Sequence, residues 1–298
     1  MIITCLRGGI GNQLFQYAAG RALAVKHGVE LKVDISAINA CDKDTQRAYA
    51  LTDFSISASV ASAQEISIVK AAQQPRFFRR LHRAVENMTP YYRKSVYKEP
   101  HFHFDKNFFK APGTVYLYGF WQSERYFQKI ASVLRKEFQI IDPQQGRNAE
   151  LAEIINSSNS VSVHIRGGDY VNNPVTHKHH GACSPAYYGR CIEWISGHIK
   201  NPLFFVFSDD IARAKAQLPA HEYFVFVDHN TEKNAHEDLR LMSQCKHHII
   251  ANSTFSWWGA WLGSHHDKKV LAPVPWFSNP GRTTTDLLPG GWITIEAR

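Results

Sequence analysis

The sequence predicts an α/β protein made of two Rossmann-like halves that face each other across a cleft. Its 298 residues suffice for two cores of ordinary domain size, about 100 to 200 residues each. At the start of the chain and throughout its second half, short apolar segments alternate with segments of helical period, which is the pattern of a parallel sheet. A polar, turn-rich segment at residues 142–146 is the best boundary between them. The predicted domains are residues 1–145 and residues 146–298.

The N-terminal half opens with a strand, a turn, a helix and a second strand. Residues 2–6 are apolar and predict a buried strand, and residues 7–11 form a glycine-rich turn. Residues 12–27 have helical period, and Gly28 can end this helix in a left-handed cap. Residues 29–34 predict the second strand. This order predicts that the two strands are parallel.

The middle of the chain has a weaker pattern. Residues 35–113 lack a long clean period, so we expect helices and loops there. Residues 76–88 are an exception, because apolar residues recur at helical spacing opposite four arginines. Such a helix can lie on an anionic bilayer, whereas the simpler interpretation packs it on the protein with its basic face in water. The formal net charge of +8 likewise fits several anionic partners, but no nucleic-acid recognition motif accompanies it.

The C-terminal half alternates strand and helix regularly. The predicted strands are residues 160–165, 203–207, 223–227, 248–251 and 269–272. The predicted helices are residues 185–199, 211–217, 235–245 and 255–263. This alternation predicts an open doubly wound sheet, whose ligands bind beyond the carboxyl ends of the strands.

Two of these strand ends carry groups that suit an anion. Arg166 follows the strand at residues 160–165 and precedes two glycines, which favours a diphosphate, although an Arg166–Asp169 pair across a tight turn is an equal alternative. Ser253 and Thr254 can begin a helix whose N-terminus attracts negative charge, although an ordinary helix cap explains them too. Because both segments end at the same edge of one sheet, the anion site is favoured.

Two further segments offer polar groups. The glycine-rich turn is neither a dinucleotide fingerprint nor a phosphate loop, but it brings the carboxamides of Asn12 and Gln13 to the start of a helix. After the strand at residues 203–207, a carboxylate of Asp209 or Asp210 can accept hydrogen bonds from guanine. The competing interpretation is that Ser208 or Asp209 caps the next helix, and sequence alone favours it.

Composition constrains location and metal use. Five scattered cysteines without a CxxC pair favour a reducing compartment. The N-terminal apolar stretch is too short for a signal peptide, and no run reaches the roughly 18 apolar residues of a spanning helix, so we expect a cytoplasmic protein. Histidine clusters at residues 177–180 and 265–267 lack metal-ligand spacing, so no metal is expected. The tryptophans at 257, 258 and 261 are expected in the core rather than on a sugar platform.

Four ordered motifs together resemble the bacterial α-1,2-fucosyltransferases of glycosyltransferase family 11. They lie at residues 9–17, 119–127, 164–170 and 250–258. The resemblance implies a GT-B fold, with an acceptor-side N-terminal domain and a C-terminal domain that binds GDP-fucose. It further implies inverting transfer of fucose to the 2-hydroxyl of a terminal β-galactoside or lipid-linked glycan, in surface glycan or O-antigen synthesis. No metal or cofactor and no nucleic-acid partner is implied. Contact with the inner membrane surface depends on the helix at residues 76–88.

The resemblance also implies roles for particular residues. Donor-binding residues would be Gly11, Asn12, Arg166, Asp209, Ser253, Thr254 and Phe255. Acceptor-binding residues would be Gln13, Gln122 and Glu124, and the catalytic set would be Asn12, His164, Arg166 and Asp169. The base that takes the acceptor proton stays open among Glu124, Asp169 and His164. Gly167 stands where many members carry a second arginine, and Thr254 where many carry serine. The alternatives are another donor or linkage, and a carbohydrate-binding protein without turnover.

Overall fold

A computed structural model describes residues 1–39, 48–70, 88–167, 181–218, 223–278 and 284–298. The chain forms two compact units. One comprises Met1–Ile141 with Thr284–Leu287, and the other comprises Asp142–Thr283 with Leu288–Arg298. The chain therefore leaves the first unit at the start of the turn-rich segment at residues 142–146. Most of the predicted helix at residues 76–88, Asp169 and the histidine cluster at residues 177–180 lie outside the described residues.

The N-terminal unit contains a five-stranded parallel sheet in the order β3-β2-β1-β5-β4. Its strands are β1 Ile2–Cys5, β2 Leu31–Asp34, β3 Ser59–Val60, β4 Val96–Lys98 and β5 Val115–Tyr118. Its α-helices in the described ranges are α1 Ile10–His27, α2 Ser36–Asn39, α3 Ala63–Val69 and α4 Ala131–Glu137. Short 3-10 helices lie at Tyr91–Arg93, Phe108–Lys110, Glu124–Tyr126 and Gln128–Ile130.

The first β-α-β unit forms as the sequence predicts. β1 is fully buried, and α1 ends at Gly28, which is left-handed with φ of 62°. Strands β1 and β2 are parallel, with Ile2 opposite Leu31. The expectation of only helices and loops at residues 35–113 is wrong, because β3 and β4 lie there. These strands have two and three residues, which is too short to show an alternation of apolar and polar positions.

The C-terminal unit contains a six-stranded parallel sheet in the order β11-β10-β9-β6-β7-β8. Its strands are β6 Asn159–Ile165, β7 Pro202–Ser208, β8 Phe224–Val227, β9 His247–Ile249, β10 Val270–Val274 and β11 Ile293–Glu296. Its described α-helices are α5 Gly146–Ser157, α6 Pro185–His198, α7 Ile211–Gln217, α8 Ala235–Gln244 and α9 Thr254–Leu262. A 3-10 helix lies at Glu232–Asn234.

Helices cover both faces of this sheet. On one face, Val163 of β6 and Val206 of β7 belong to a buried cluster with Tyr187 of α6. On the other face, Phe205 of β7 belongs to a cluster with Leu241 of α8. Burial on both faces explains why β7 is apolar along most of its length rather than alternating. The prediction of two Rossmann-like α/β domains is confirmed, and their arrangement across a cleft stays a prediction.

No helix in the described ranges is both long and apolar enough to cross a bilayer.

Candidate active site

The C-terminal sheet has a topological switch point beside its central strand. From β6 the chain proceeds outward through β7 to β8, then returns to form β9 on the opposite side of β6. Ligands of open α/β sheets bind outside the carboxyl ends of the strands at such a reversal. Arg166 directly follows β6, and Ser253 lies four residues beyond the end of β9. The two predicted anion-binding groups therefore lie at the same edge, on the two strands that flank the switch point.

A buried histidine connects these two strand ends. His164 Nδ1 and Ser256 Oγ form a hydrogen bond of 2.9 Å, which joins β6 to the first turn of α9. Tyr188 donates its hydroxyl to the His164 carbonyl oxygen at 3.1 Å. Burial, and secondarily the Arg166 guanidinium, lowers the pKa of His164 to about 3. The imidazole is therefore neutral near pH 7 and fixes the edge of the sheet to the helix.

Arg166 pairs with a carboxylate on the neighbouring strand. Its Nη1 lies 3.0 Å from Asp209 Oδ2, and the Gly167 N–H donates to Asp209 Oδ1 at 2.7 Å. The pair forms because the β6–β7 register sets Ile165 opposite Ser208. Asp209 therefore orients the guanidinium from one side. The helix cap belongs to Asp210, whose side chain accepts from the Arg213 N–H at 2.9 Å.

The start of α9 is open to an anion. Ser253 is the N-cap residue, and its Oγ accepts from the Phe255 N–H at 3.3 Å. The first turn of α9 contains no acidic residue that would neutralise the positive end of the helix dipole. Thr254 and Phe255 are partly exposed at this end. The tryptophans of α9 are buried as predicted, at positions 257, 258 and 261.

The N-terminal sheet has its own switch point, between β1 and β5. Gly8 lies in the glycine-rich turn between β1 and α1 and has a φ of 77°. A Cβ at Gly8 would lie 2.6 Å from Asn12 Nδ2, so this turn packs closely on the start of α1. Gln122 donates its side-chain amide to Asn12 Oδ1 at 2.8 Å. This bond joins the glycine-rich turn to the segment after β5, so two predicted binding residues meet at this edge.

Gln13 has a structural place in the same turn. It is fully buried, and its Nε2 donates to the carbonyl oxygens of Gly8 and Ala48 at 2.9 Å each. Its Oε1 accepts from the Ala50 N–H at 3.0 Å. All these bonds go to backbone, so Gln13 holds the turn, and its predicted contact with the acceptor stays a prediction. Glu124 is partly exposed in the 3-10 helix Glu124–Tyr126, and its predicted roles also stay predictions.

A carboxylate that the sequence did not single out holds the turn after β5. Glu99 Oε2 accepts from the Phe120 N–H at 2.7 Å, and its Oε1 accepts from the Trp121 N–H at 2.9 Å. These bonds stabilise Trp121 in the left-handed region, with φ of 56°. A Cβ at Gly119 would lie 2.5 Å from Glu99 Cβ, so the close approach requires glycine.

Burial raises the pKa of the Glu99 carboxyl to about 6. The two backbone N–H groups and the nearby Arg7 and His101 lower this pKa, but their effect is smaller than that of burial. Glu99 therefore changes charge within a range of pH at which proteins are commonly studied.

Among the described residues, no group of three or more His, Cys, Asp or Glu side chains has the geometry of a metal site. His266 instead pairs with Asp267 at 2.8 Å on the surface.

Comparison with known proteins decides the family. The profile of glycosyl transferase family 11 matches residues 1–296. The chain belongs to glycosyl transferase family 11. It is 36% identical to an alpha-1,2-colitosyltransferase of Escherichia coli, with 99% of each chain covered. It is 31% identical to the O-antigen biosynthesis glycosyltransferase WbnK of Escherichia coli over 98% of this chain and 99% of that protein. A galactoside alpha-(1,2)-fucosyltransferase 1 of Rattus norvegicus is 26% identical over 72% of this chain and 58% of its own length.

As a member of this family the protein is a glycosyltransferase, and its predicted site residues fall into two groups. His164, Arg166, Asp209 and the start of α9 meet at the carboxyl edge of the C-terminal sheet. Gly11, Asn12 and Gln122 lie at the corresponding edge of the N-terminal sheet.

Sequence reasoning missed two residues that hold the candidate site in place, Ser256 and Glu99. Ser256 is three residues beyond the N-cap serine, so it lies on the first turn of the helix, and this spacing was a usable signal. Glu99 had no such signal, because its partners are backbone groups 21 and 22 residues away.

Proposed function

We propose that the protein is an inverting α-1,2-fucosyltransferase, which transfers fucose from GDP-fucose to the 2-hydroxyl of a terminal β-galactoside. The observation that carries the proposal is that Arg166 and the start of α9 lie at the same edge of the sheet, where the His164–Ser256 hydrogen bond joins β6 to α9 and no acidic residue occupies the first turn of the helix. A guanidinium and a helix N-terminus are the groups that bind a diphosphate. The names of the family 11 relatives support a 6-deoxy sugar and a 1,2-linkage.

In the proposed reaction, the bond between the fucose anomeric carbon and the diphosphate breaks, and its electron pair stays on the phosphate oxygen. The acceptor 2-hydroxyl oxygen bonds to the anomeric carbon from the opposite face, and its proton is released. The products are GDP, the fucosylated galactoside and one proton. Negative charge grows on the leaving oxygen while the sugar becomes oxocarbenium-like. Arg166 and the α9 N–H groups would stabilise that charge, and Asp209 would keep Arg166 oriented.

The environment of His164 also limits which residue can accept the proton of the acceptor hydroxyl. His164 is a weak proton acceptor, because burial lowers its pKa to about 3 and its Nδ1 already bonds Ser256. We therefore propose a positioning role for His164. Glu124 and Asp169 stay as proposed proton acceptors, and a strongly dissociative reaction needs only a weak one. We further propose that Asp209 or its neighbour Asp210 contacts guanine, that no metal or cofactor takes part, and that the reaction is cytoplasmic.

A second donor is favoured by one comparison. The 36% identical relative is named for colitose, which is fucose without its 3-hydroxyl. GDP-colitose is therefore the alternative donor for the same site.

The test is transfer to lactose by the purified full chain in EDTA, with GDP-fucose and GDP-colitose supplied separately. We expect a 1,2-linked fucosyl product. Arg166→Ala should reduce kcat/KM by about a hundredfold or more, since one preorganised donor stabilises such a transition state by about 3 kcal/mol. Arg147→Ala is the matched control, because Arg147 is an exposed arginine of the same unit. Faster transfer from GDP-colitose than from GDP-fucose would make GDP-colitose the donor. Full activity in Arg166→Ala would refute the proposed diphosphate site.

A further inference from the structure

The two sheets carry an arginine followed by a glycine at the same topological position. Arg7-Gly8 follows β1, and Arg166-Gly167 follows β6. Each of these strands is the first of its sheet, and each lies beside the switch point of that sheet. The arginines differ in their surroundings, because Arg166 pairs with Asp209 and Arg7 packs against two aromatic rings.

The Arg7 guanidinium packs against two aromatic rings. Its Cζ lies 4.5 Å from the centre of the Tyr118 ring and 4.1 Å from the centre of the Phe120 ring. Its Nη1 donates to the Tyr118 hydroxyl at 3.1 Å, and its backbone N–H donates to Gln16 Oε1 at 2.9 Å. Its Nε is buried and has no hydrogen-bond partner among the described residues. Guanidinium N–H donors lie in the plane of the group, so the donors that the rings and the Tyr118 hydroxyl leave unused point along that plane, which is the geometry that binds oxyanions.

The positive charge of Arg7 is not neutralised by an ion pair within the described parts of the chain. Glu99 is the nearby carboxylate, but both its oxygens accept backbone N–H groups of the turn that carries Phe120. The first turn of α1, which follows the Arg-Gly-Gly segment, contains no acidic residue. A partly buried cation with an unpartnered in-plane donor and no ion pair among the described residues is costly unless a ligand supplies the negative charge.

We propose that Arg7 binds an oxyanion group, a carboxylate or a phosphate, that the acceptor carries in addition to its galactose. The proposal rests on the proposed function, which assigns the donor diphosphate to Arg166 and α9 in the C-terminal unit. Arg7 then determines acceptor specificity, selecting acidic glycans or glycans attached through phosphate over neutral ones.

The test compares three acceptors that differ in one group. Lactose is neutral, β-1,4-galactosyl glucuronic acid carries a carboxylate, and lactose 1-phosphate carries a phosphate. Initial rates in EDTA give kcat/KM for each acceptor in wild type, Arg7→Gln and the matched control Arg93→Gln, an exposed arginine of the same unit. Titration calorimetry measures binding of GDP and of lactose 1-phosphate to the same three proteins.

Wild type and Arg93→Gln should prefer at least one acidic acceptor over lactose by about tenfold to a hundredfold, as a charged bidentate contact provides. Arg7→Gln should abolish that preference and leave GDP binding unchanged. A packing role alone would lower kcat/KM for all three acceptors equally, which would overturn the proposal. If Arg7→Gln binds GDP more weakly and still prefers acidic acceptors over lactose, the proposal is overturned, and Arg7 instead contacts the diphosphate of the donor. If no acceptor is fucosylated, the proposed function fails, and calorimetry with lactose 1-phosphate decides on Arg7 alone.

Discussion

Single side chains at the ends of the strands determine what each sheet edge can bind. Arg166 is oriented by Asp209 on the next strand, while Glu99 uses both oxygens to hold the backbone of a turn. The same carboxylate chemistry thus serves an ion pair in one unit and a left-handed turn at Trp121 in the other. The consequence for Glu99 is a dependence of stability on pH.

We expect Glu99→Gln to reduce the pH dependence of stability between about pH 4.5 and 6.5. Burial raises the pKa of Glu99 in the folded protein from its ordinary value of 4.5 to about 6. A carboxyl group whose pKa is higher in the folded than in the unfolded protein contributes stability when the pH is below its unfolded-state pKa. This contribution is lost as the pH rises through its folded-state pKa. The melting temperature of wild type minus that of Glu99→Gln should therefore be larger at pH 4.5 than at pH 6.5. Exposed Glu153→Gln controls for loss of one charge, and a constant difference for Glu99→Gln would contradict the assignment.

Elements of secondary structure were predictable where their pattern was long. The strands β6 and β7 have seven residues each. β7 is apolar along most of its length because both its faces are buried, and β6 alternates buried apolar residues with serine and histidine, so the position of both strands beside Arg166 followed from the sequence. The Arg166–Asp209 pair did not follow, because it depends on the β6–β7 register across 43 residues of chain. The turn at Trp121 was also hidden, since tryptophan gives no signal of a positive φ in the way that glycine does.

Two glycine substitutions test the turn after β5. In Gly119→Ala the new Cβ would lie 2.5 Å from Glu99 Cβ and 2.8 Å from a Trp121 ring atom, so we expect a loss of about 1–3 kcal/mol in unfolding free energy. Gly189→Ala is the control, because Gly189 lies within α6 and has no atom within 4 Å of a new Cβ. It should be neutral or stabilising, since alanine is the better helix former. Urea denaturation measures both, and equal stability of the two variants would show that Glu99 does not pack against Gly119.

At the scale of the whole molecule, the chain repeats one plan twice. Each unit is a parallel sheet with a switch point beside its first strand, and each places an arginine followed by a glycine at that point. The C-terminal sheet was predictable from its alternating strands and helices, as was the family from its four ordered motifs. The N-terminal switch point was not, because it depends on the short strands β3, β4 and β5. The acceptor was not predictable, because specificity depends on a few side chains such as Arg7 whose environment arises only in the folded sheet edge.

The central claim is that Arg166 and the start of α9 bind the diphosphate of a guanine nucleotide without a metal ion. Titration calorimetry with GDP, ADP and UDP in EDTA, on wild type and Arg166→Ala, tests it most directly. We predict that wild type binds GDP at least about tenfold more tightly than ADP or UDP, a difference of about 1.4 kcal/mol, and that Arg166→Ala loses most of this affinity. Equal binding of the three nucleotides, binding of GDP only when magnesium is restored, or unchanged affinity in Arg166→Ala would contradict the account.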